Sequence, residues 1–146
     1  MRFDYRPIAG LPRLAWCAHL TKGEDSIVVR HGPWVETRDD CFFEGAWNGP
    51  FVEGRFDIAD TFTGTGARLT RHGVTFVAPT HPVERIYSVR VGRRLTVSNS
   101  WTFLLVAIGD QPDIGYADYF FDLQRNFRDY WRIPTMLRTQ NRNAVS

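Results

Sequence analysis

One stretch decides the fold of this chain: ARLTRHGVTFVAPTHPVERIYSVRVGRRLTVSNSWTFLLVA, residues 67–107. Runs that suit β-strands alternate there with short glycine-containing turns, and the stretch ends in an apolar run that suits a helix. His72-Gly73 indicates the turn of one hairpin, and Gly92-Arg93 indicates the turn of a second. The four predicted strands are Ala67–Arg71, Val74–Ala78, Arg85–Val91 and Leu95–Val97.

The helix that follows has clear start and stop signals. Ser98, Asn99 and Ser100 all suit an N-cap, because each side chain can accept a hydrogen bond from an orphan backbone N–H of the first turn. The helix is predicted to run to about Ile108 and to stop at Gly109, the usual C-terminal glycine position. Since it is apolar nearly all round, we expect a buried helix packed on the sheet.

A second helix is predicted from Tyr116 to Trp131, where apolar side chains recur at helical spacing and charged side chains fill the other face. Pro134 ends it. Runs of strands followed by helices favour the α+β class, with antiparallel sheets and both C-terminal helices packed on them. We expect one domain over residues 1–135 and a frayed tail or linker over residues 136–146.

The chain before residue 67 has weaker signals. Met1–Pro12 is predicted to be an irregular arm, because proline and glycine punctuate it. Leu14–Leu20 and Ser26–His31 are predicted to form a hairpin. Glu44–Gly54 fits no regular element and is predicted to be a loop, and Gly64-Thr65-Gly66 is predicted to be a turn between strands.

Composition limits the classes of function. The 146 residues are 43% hydrophobic and 23% charged, which is ordinary for one globular domain. A net charge of +2 gives no electrostatic footprint for nucleic acid. Met1–Gly10 lacks the apolar core of a signal peptide, and the longest apolar run, Phe103–Ile108, is too short to span a bilayer. We therefore expect a cytoplasmic protein that binds neither nucleic acid nor membrane.

Candidate catalytic and metal-binding residues are few. The histidines lack metal-ligand spacing and no Cys-x-x-Cys is present, so we expect no metal. No phosphate-binding motif is present either, so we expect no cofactor. Cys17 lies two residues before His19, which places both side chains on one face of a strand and permits a thiol–imidazole pair. The alternative for Cys17 and Cys41 is a buried, inert thiol.

Two tryptophans are candidates for ligand binding. Trp34 and Trp47 lie in segments rich in glycine and proline, where exposed aromatic rings can stack on the apolar faces of sugars. Asn48 and Phe51 accompany Trp47 in the Glu44–Gly54 segment. One hypothesis is therefore a glycan- or small-ligand-binding, β-rich module that uses Trp34, Trp47, Asn48 and Phe51.

The run Val74–Ala107 resembles the end of the N-terminal glutaminase-like domain of asparagine-synthase-type proteins, in which strands lead into a helix rich in alanine and leucine. Val97–Ser100 followed by Phe103–Leu105 would occupy the last strand and the start of that helix. The segment EGAWNGPF, residues 44–51, is similar to a signature of divergent bacterial members of the group. The resemblance implies an Ntn-like αββα sandwich.

Departures from the family pattern shape the expected function. The family nucleophile is a cysteine exposed at the N-terminus after removal of Met, and this chain has Arg2 there. The family's glutamine-binding Asn-Gly-Glu is missing, since Asn48-Gly49 is followed by Pro50. The resemblance therefore implies a noncatalytic accessory domain that docks a synthetase-type partner, or self-associates, through the aromatic helix face or the Glu44–Gly54 loop. A hydrolase with a cysteine nucleophile is the third hypothesis.

Overall fold

A computed structural model describes residues 1–81, 84–113, 115, 137–141 and 144–145 of this chain. These residues form mainly β-structure with one α-helix and two 3₁₀ turns, an α+β-like arrangement. The strands are β1 (Arg2–Pro7), β2 (Trp16–Thr21), β3 (Ser26–His31), β4 (Glu36–Thr37), β5 (Cys41–Trp47), β6 (Phe62–Thr70), β7 (Gly73–Val77), β8 (Tyr87–Val91), β9 (Arg94–Ser98), β10 (Leu137–Arg138) and β11 (Ala144–Val145). The helix α1 is Trp101–Ile108, and the 3₁₀ turns are Phe51–Glu53 and Phe56–Ile58.

The strands form two sheets. The large sheet has the order β1-β3-β2-β9-β8-β11-β10, and the small sheet has the order β4-β5-β6-β7. Neighbouring strands are antiparallel except for β1 and β3, which run parallel. The three predicted hairpins, β2–β3, β6–β7 and β8–β9, are all confirmed.

The main core lies between the two sheets. Trp16 of the large sheet packs edge-on against Phe42 of the small sheet, with ring centroids 4.9 Å apart. It also stacks on Phe76, at 6.0 Å. Ile27, Val29 and other inward residues complete this cluster. Since burial of each such large side chain contributes about 1.5–3 kcal/mol, this contact between the sheets stabilises the fold.

Helix α1 covers the opposite face of the large sheet. Leu104 of the helix packs there with Val89 and Val145. Ser100 is the N-cap, its side chain accepting from the Phe103 N–H, and Gly109 ends the helix in the left-handed conformation, as predicted. The expectation of burial all round is wrong in one respect: Val106 is 71% exposed, because only one side of α1 faces the sheet.

The predicted irregular arm is a strand. Residues Arg2–Pro7 form β1, which pairs in parallel with β3 along its whole length, from Arg2 opposite Ser26 to Pro7 opposite His31. Phe3 and Tyr5 pack into the core between the sheets. The proline and glycine residues indicate only the connection that follows β1, so the prediction of an irregular arm is wrong for Arg2–Pro7.

The predicted turn Gly64-Thr65-Gly66 lies inside β6, and the predicted loop Glu44–Gly54 begins inside β5. Gly45 and Gly64 face each other across the two strands, both with positive φ. A Cβ on Gly64 would lie 1.9 Å from the Glu44 carbonyl oxygen. The glycines therefore permit a close approach of two strands, whereas in the sequence they suggested a break.

The C-terminal predictions have mixed outcomes. The predicted helix Tyr116–Trp131 lies outside the described residues. In the segment predicted as a tail or linker, β11 pairs with β8 through Val145 opposite Val89. Among the described residues, no helix combines the length and apolarity that crossing a bilayer requires.

Candidate functional site

A buried carboxylate lies at one end of the space between the sheets. Along β5, alternate side chains face the large sheet, so that Glu44 shares the inward face with Phe42, while Cys41 and Phe43 pack on the outer face. Glu44 is only 8% exposed. Its partner across β6 is Thr65, which is also buried. Acidic side chains are rarely this buried unless they are paired or functional.

One oxygen of this carboxylate holds all its hydrogen bonds within the described residues. Glu44 Oε1 accepts from the Thr65 backbone N–H at 2.9 Å and from Thr65 Oγ1 at 2.6 Å. A third, longer bond comes from Asn99 Nδ2 at 3.4 Å. The other oxygen, Oε2, therefore keeps its capacity to accept hydrogen bonds.

The surrounding groups hold this carboxylate in a fixed frame. Trp16 Nε1 donates to Thr65 Oγ1 at 2.8 Å, which leaves the single hydroxyl proton of Thr65 for Glu44. Asn99 Oδ1 accepts from the Trp16 backbone N–H at 2.9 Å, and Asn99 Nδ2 donates to the Leu14 carbonyl at 2.9 Å. The network joins β5 and β6 of the small sheet to β2 and the β9–α1 junction of the large sheet.

The protein environment favours the protonated form of the Glu44 carboxyl more than an aqueous environment does. Burial raises the pKa of Glu44, the hydrogen bonds from Thr65 and Asn99 oppose that rise, and the negative charge of Glu84 adds to it. A carboxyl with a raised pKa in a cleft is a candidate for proton transfer or for recognition of a cation.

Glu44 opens onto a cavity of about 250 Å³. The lining combines two carboxylates, a guanidinium, a hydroxyl, an amide and a phenol ring with one apolar side chain at the edge. Its residues are Leu14, Glu44, Thr65, Glu84, Arg85, Tyr87 and Asn99. We call this the Glu44 cavity.

A second cleft, also of about 250 Å³, contains two of the residues predicted from the sequence to bind ligand. Trp47 and Asn48 line it, together with Arg55, Asp60 and others. Phe51 stacks on Trp47 with ring centroids 5.4 Å apart and the planes inclined by 19°, but Phe51 is not part of the lining. We call this the Trp47 cleft.

Trp34, the fourth predicted site residue, is not part of either lining. It is 58% exposed, and the guanidinium of Arg13 lies 4.3 Å from the centroid of its ring. This cation–π contact joins the β1–β2 connection to the β3–β4 connection, and Trp34 shares no lining with Trp47.

The two thiols have no sign of activation. Cys17 Sγ lies 3.9 Å from His19 Nε2, which confirms that both share one face of β2. Burial raises the pKa of Cys17 to about 12 and that of Cys41 to about 11, and burial also lowers the pKa of His19 to about 4. A thiol that stays protonated beside an imidazole that stays neutral is a poor nucleophile.

Comparisons with protein-family models, with curated proteins and with solved structures find no match for this chain. Among the described residues, no group of three or more His, Cys, Asp or Glu side chains could hold a metal ion.

Glu44, Thr65 and Asn99 are site residues that the sequence patterns do not predict. Gly64-Thr65-Gly66 suggests a turn, and Asn99 suggests a helix cap. The available signal is the strand-like run Cys41–Glu44 before Gly45: extending that strand through the glycine places Glu44 on the same face as Phe42, which is the inward face. An inward-facing charge in a strand is a mark of a functional or paired group.

Proposed function

We propose that this chain is a noncatalytic accessory domain with an Ntn-like αββα sandwich, related to the amidotransferase domain of asparagine-synthase-like proteins, that docks a synthetase-type partner. The observation that carries the proposal is the succession of the β8–β9 hairpin into a Ser100-capped helix on the outer face of two stacked sheets. That is the order of elements in which the sequence resembles the glutaminase-like domain.

The layers of the described residues support this proposal in part. They supply α1, the large sheet and the small sheet, in that order. On the outer face of the small sheet, Phe43 and Phe62 are covered by Phe56 of the second 3₁₀ turn. This cover on the outer face of the small sheet supports the proposal of a fourth layer, although within the described residues it consists of 3₁₀ turns.

The noncatalytic part of the proposal rests on the thiols. Cys17 and Cys41 are both fully buried. A test is the release of ammonia from glutamine by the purified chain. We expect none above a buffer blank. Turnover that disappears in Cys17→Ala or Cys41→Ala would show an active hydrolase instead.

An exposed apolar surface on the 3₁₀ turns supports docking. Phe51 is 53% exposed, Val52 is 81% exposed and Ile58 is 62% exposed. Three large apolar side chains exposed within eight residues of sequence offer apolar area that a partner could bury. Phe51 and Val52 belong to the Glu44–Gly54 segment, one of the two surfaces expected to contact a partner.

The docking experiment uses a synthetase-type ATP-pyrophosphatase protein from the same genome, mixed with this chain and sized by light scattering after gel filtration. We expect a complex that Val52→Glu weakens at least tenfold. Val91→Glu is the matched control, because Val91 is exposed to 48% on the other sheet. Failure of every such partner to bind, or equal loss in both variants, would contradict docking through the 3₁₀ turns.

A second candidate function is a glycan- or small-ligand-binding module, favoured by the lining of the Trp47 cleft. Asn48 and Arg55 offer hydrogen-bond donors beside the indole ring of Trp47. The test is tryptophan fluorescence on a glycan panel, with Arg55→Ala as the site variant and Trp34→Ala as the control outside the lining. A panel without response in the unaltered protein would exclude this function.

A further inference from the structure

In the Glu44 cavity, the two oxygens of the Glu44 carboxylate differ in their hydrogen bonding. Among the described residues, the donors around Glu44 are all used by Oε1, and Thr65 and Asn99 supply every one of them. Oε2 belongs to a side chain that is more than nine-tenths buried and that lines the cavity. Within the described residues Oε2 accepts no hydrogen bond from the protein, so it is available to accept one from a ligand in the cavity.

The charges of the lining indicate which kind of ligand would donate to Oε2. Glu44 and Glu84 both line the cavity, and Glu84 acts on Glu44 as a like charge. Arg85 is the cation of the lining, so carboxylates exceed guanidinium there by two to one. A ligand that carries positively charged N–H donors would pair with Oε2 and would also relieve the repulsion between the two carboxylates.

We propose that the Glu44 cavity binds a small organic cation, a primary ammonium or amidinium, whose N–H groups donate to Glu44 Oε2. Glu84 supplies the second negative charge, and Leu14 contacts the carbon chain at the edge of the cavity. A metal ion is disfavoured, because the described residues offer no group of three or more ligands of the required types.

The frame around Glu44 makes the site rigid. Thr65 is fixed by the indole of Trp16, and Asn99 is fixed by hydrogen bonds to the backbone of Trp16 and Leu14. The carboxylate therefore loses little conformational freedom when a ligand binds. The volume of about 250 Å³ lies just below the usual range of roughly 300–1,000 Å³ for ligand pockets, which selects small amines.

The experiment is an NMR titration of the full chain at pH 7.5 with butylammonium and with acetamidinium. Butanol and acetamide are the neutral probes of similar shape. We expect saturable shifts for the two cations and none for the neutral probes at the same concentrations. Shifts with neutral and charged probes alike, or no shift with either cation, would overturn the proposal.

Variants then locate the site. Glu44→Gln keeps an oxygen for Thr65 and Asn99 but places an N–H donor where the ligand needs an acceptor, so we expect at least a tenfold loss of affinity. Glu84→Gln should lose less, about two- to fivefold, since its charge acts without the same burial. Glu53→Gln in the Trp47 cleft is the matched control and should bind normally. Loss in that control with normal binding in Glu44→Gln would place the amine in the other cleft and overturn the proposal.

A further variant tests the site independently, in case Glu44→Gln unfolds the protein. Leu14 is 44% exposed at the edge of the cavity, so Leu14→Trp can fill the entrance without disturbing the core. We expect it to abolish amine binding while the NMR spectrum remains folded. Undiminished binding in folded Leu14→Trp would show that the amine lies elsewhere. Neither readout involves the synthetase-type partner, so failure of this proposal and failure of docking are separate results.

Discussion

At Gly64 the chain accepts no side chain for two separate reasons. Its φ of +140° is a conformation that residues with a Cβ rarely adopt, and a Cβ there would lie 1.9 Å from the carbonyl oxygen of Glu44. Gly73 has almost the same φ, +139°, but nothing lies within 4 Å of the position that a Cβ would take there. A side chain at Gly73 would therefore cause backbone strain alone, whereas one at Gly64 would cause both backbone strain and a steric clash.

This pair yields the first prediction. Gly73→Ala should lower the free energy of unfolding by about 1–2 kcal/mol, the cost of backbone strain alone. Gly64→Ala should cost at least about 2 kcal/mol more, because β5 and β6 must separate. Urea titrations of both variants measure the difference. Equal losses in the two would show that the close approach of the strands contributes nothing.

Thr65 gives a prediction at the same scale. Thr65→Val keeps the shape of the side chain but removes the hydroxyl that accepts from Trp16 Nε1 and donates to Glu44. Buried groups that lose their partner cost about 1–3 kcal/mol, so we expect the free energy of unfolding to fall by about 2–3 kcal/mol. Thr63→Val, on the same strand but exposed, should change it by less than about 0.5 kcal/mol. Similar losses at both positions would contradict the buried network.

The residues of the candidate site were the hardest feature to predict from the sequence. Trp47 and Asn48 carried a recognisable composition signal, and the structure places them together in one cleft. Glu44 carried only a weak signal at the end of a strand-like run, because the adjacent Gly45 suggested a loop, and its significance depends on Asn99, 55 residues away. A site made by contacts across two sheets leaves no local pattern in the chain.

Among the elements, helix α1 depends on its first turn. Ser100→Ala removes the side-chain acceptor for the Phe103 N–H, and we expect a loss of about 1 kcal/mol in the free energy of unfolding. Ser100→Asp should restore the acceptor and most of the stability. Thr102→Ala, at an exposed position inside the helix, should not destabilise it. Thermal unfolding followed by circular dichroism measures all three, and a Ser100→Asp variant as weak as Ser100→Ala would argue against the cap.

The elements that were predicted correctly are those whose signals are local. The hairpins β2–β3 and β8–β9 have their turn beside their strands, and α1 has its cap and its terminal glycine within ten residues. In contrast, β1 pairs with a strand that begins 24 residues later, at Ser26. Because parallel strands need a long connection, no short-range sequence pattern predicts the pairing of β1 with β3.

For the whole molecule, two groups make stability depend on pH in opposite directions. Burial, with the nearby charges of Arg30 and Arg94, lowers the pKa of His19 from 6.5 to about 4. Its stabilisation is therefore present above pH 6.5 and is lost as the pH falls toward 4. The pKa of Glu44 is raised above 4.5, mainly by burial. Its stabilisation is present below pH 4.5 and is lost as the pH rises through the folded-state value.

The last prediction follows from these opposing signs. Between pH 4.5 and 6.5, acidification weakens the protein through His19 and strengthens it through Glu44, so the unaltered chain should show only the difference. His19→Gln should flatten or reverse the loss of stability on acidification, whereas Glu44→Gln should make that loss steeper. The free energy of unfolding from urea titrations at several pH values tests both slopes. Since the two residues lie on different sheets, the change in the pH slope of the free energy of unfolding in the double variant should be the sum of the two single changes. Identical slopes in all four proteins would mean that neither group has a different pKa in the folded and unfolded states.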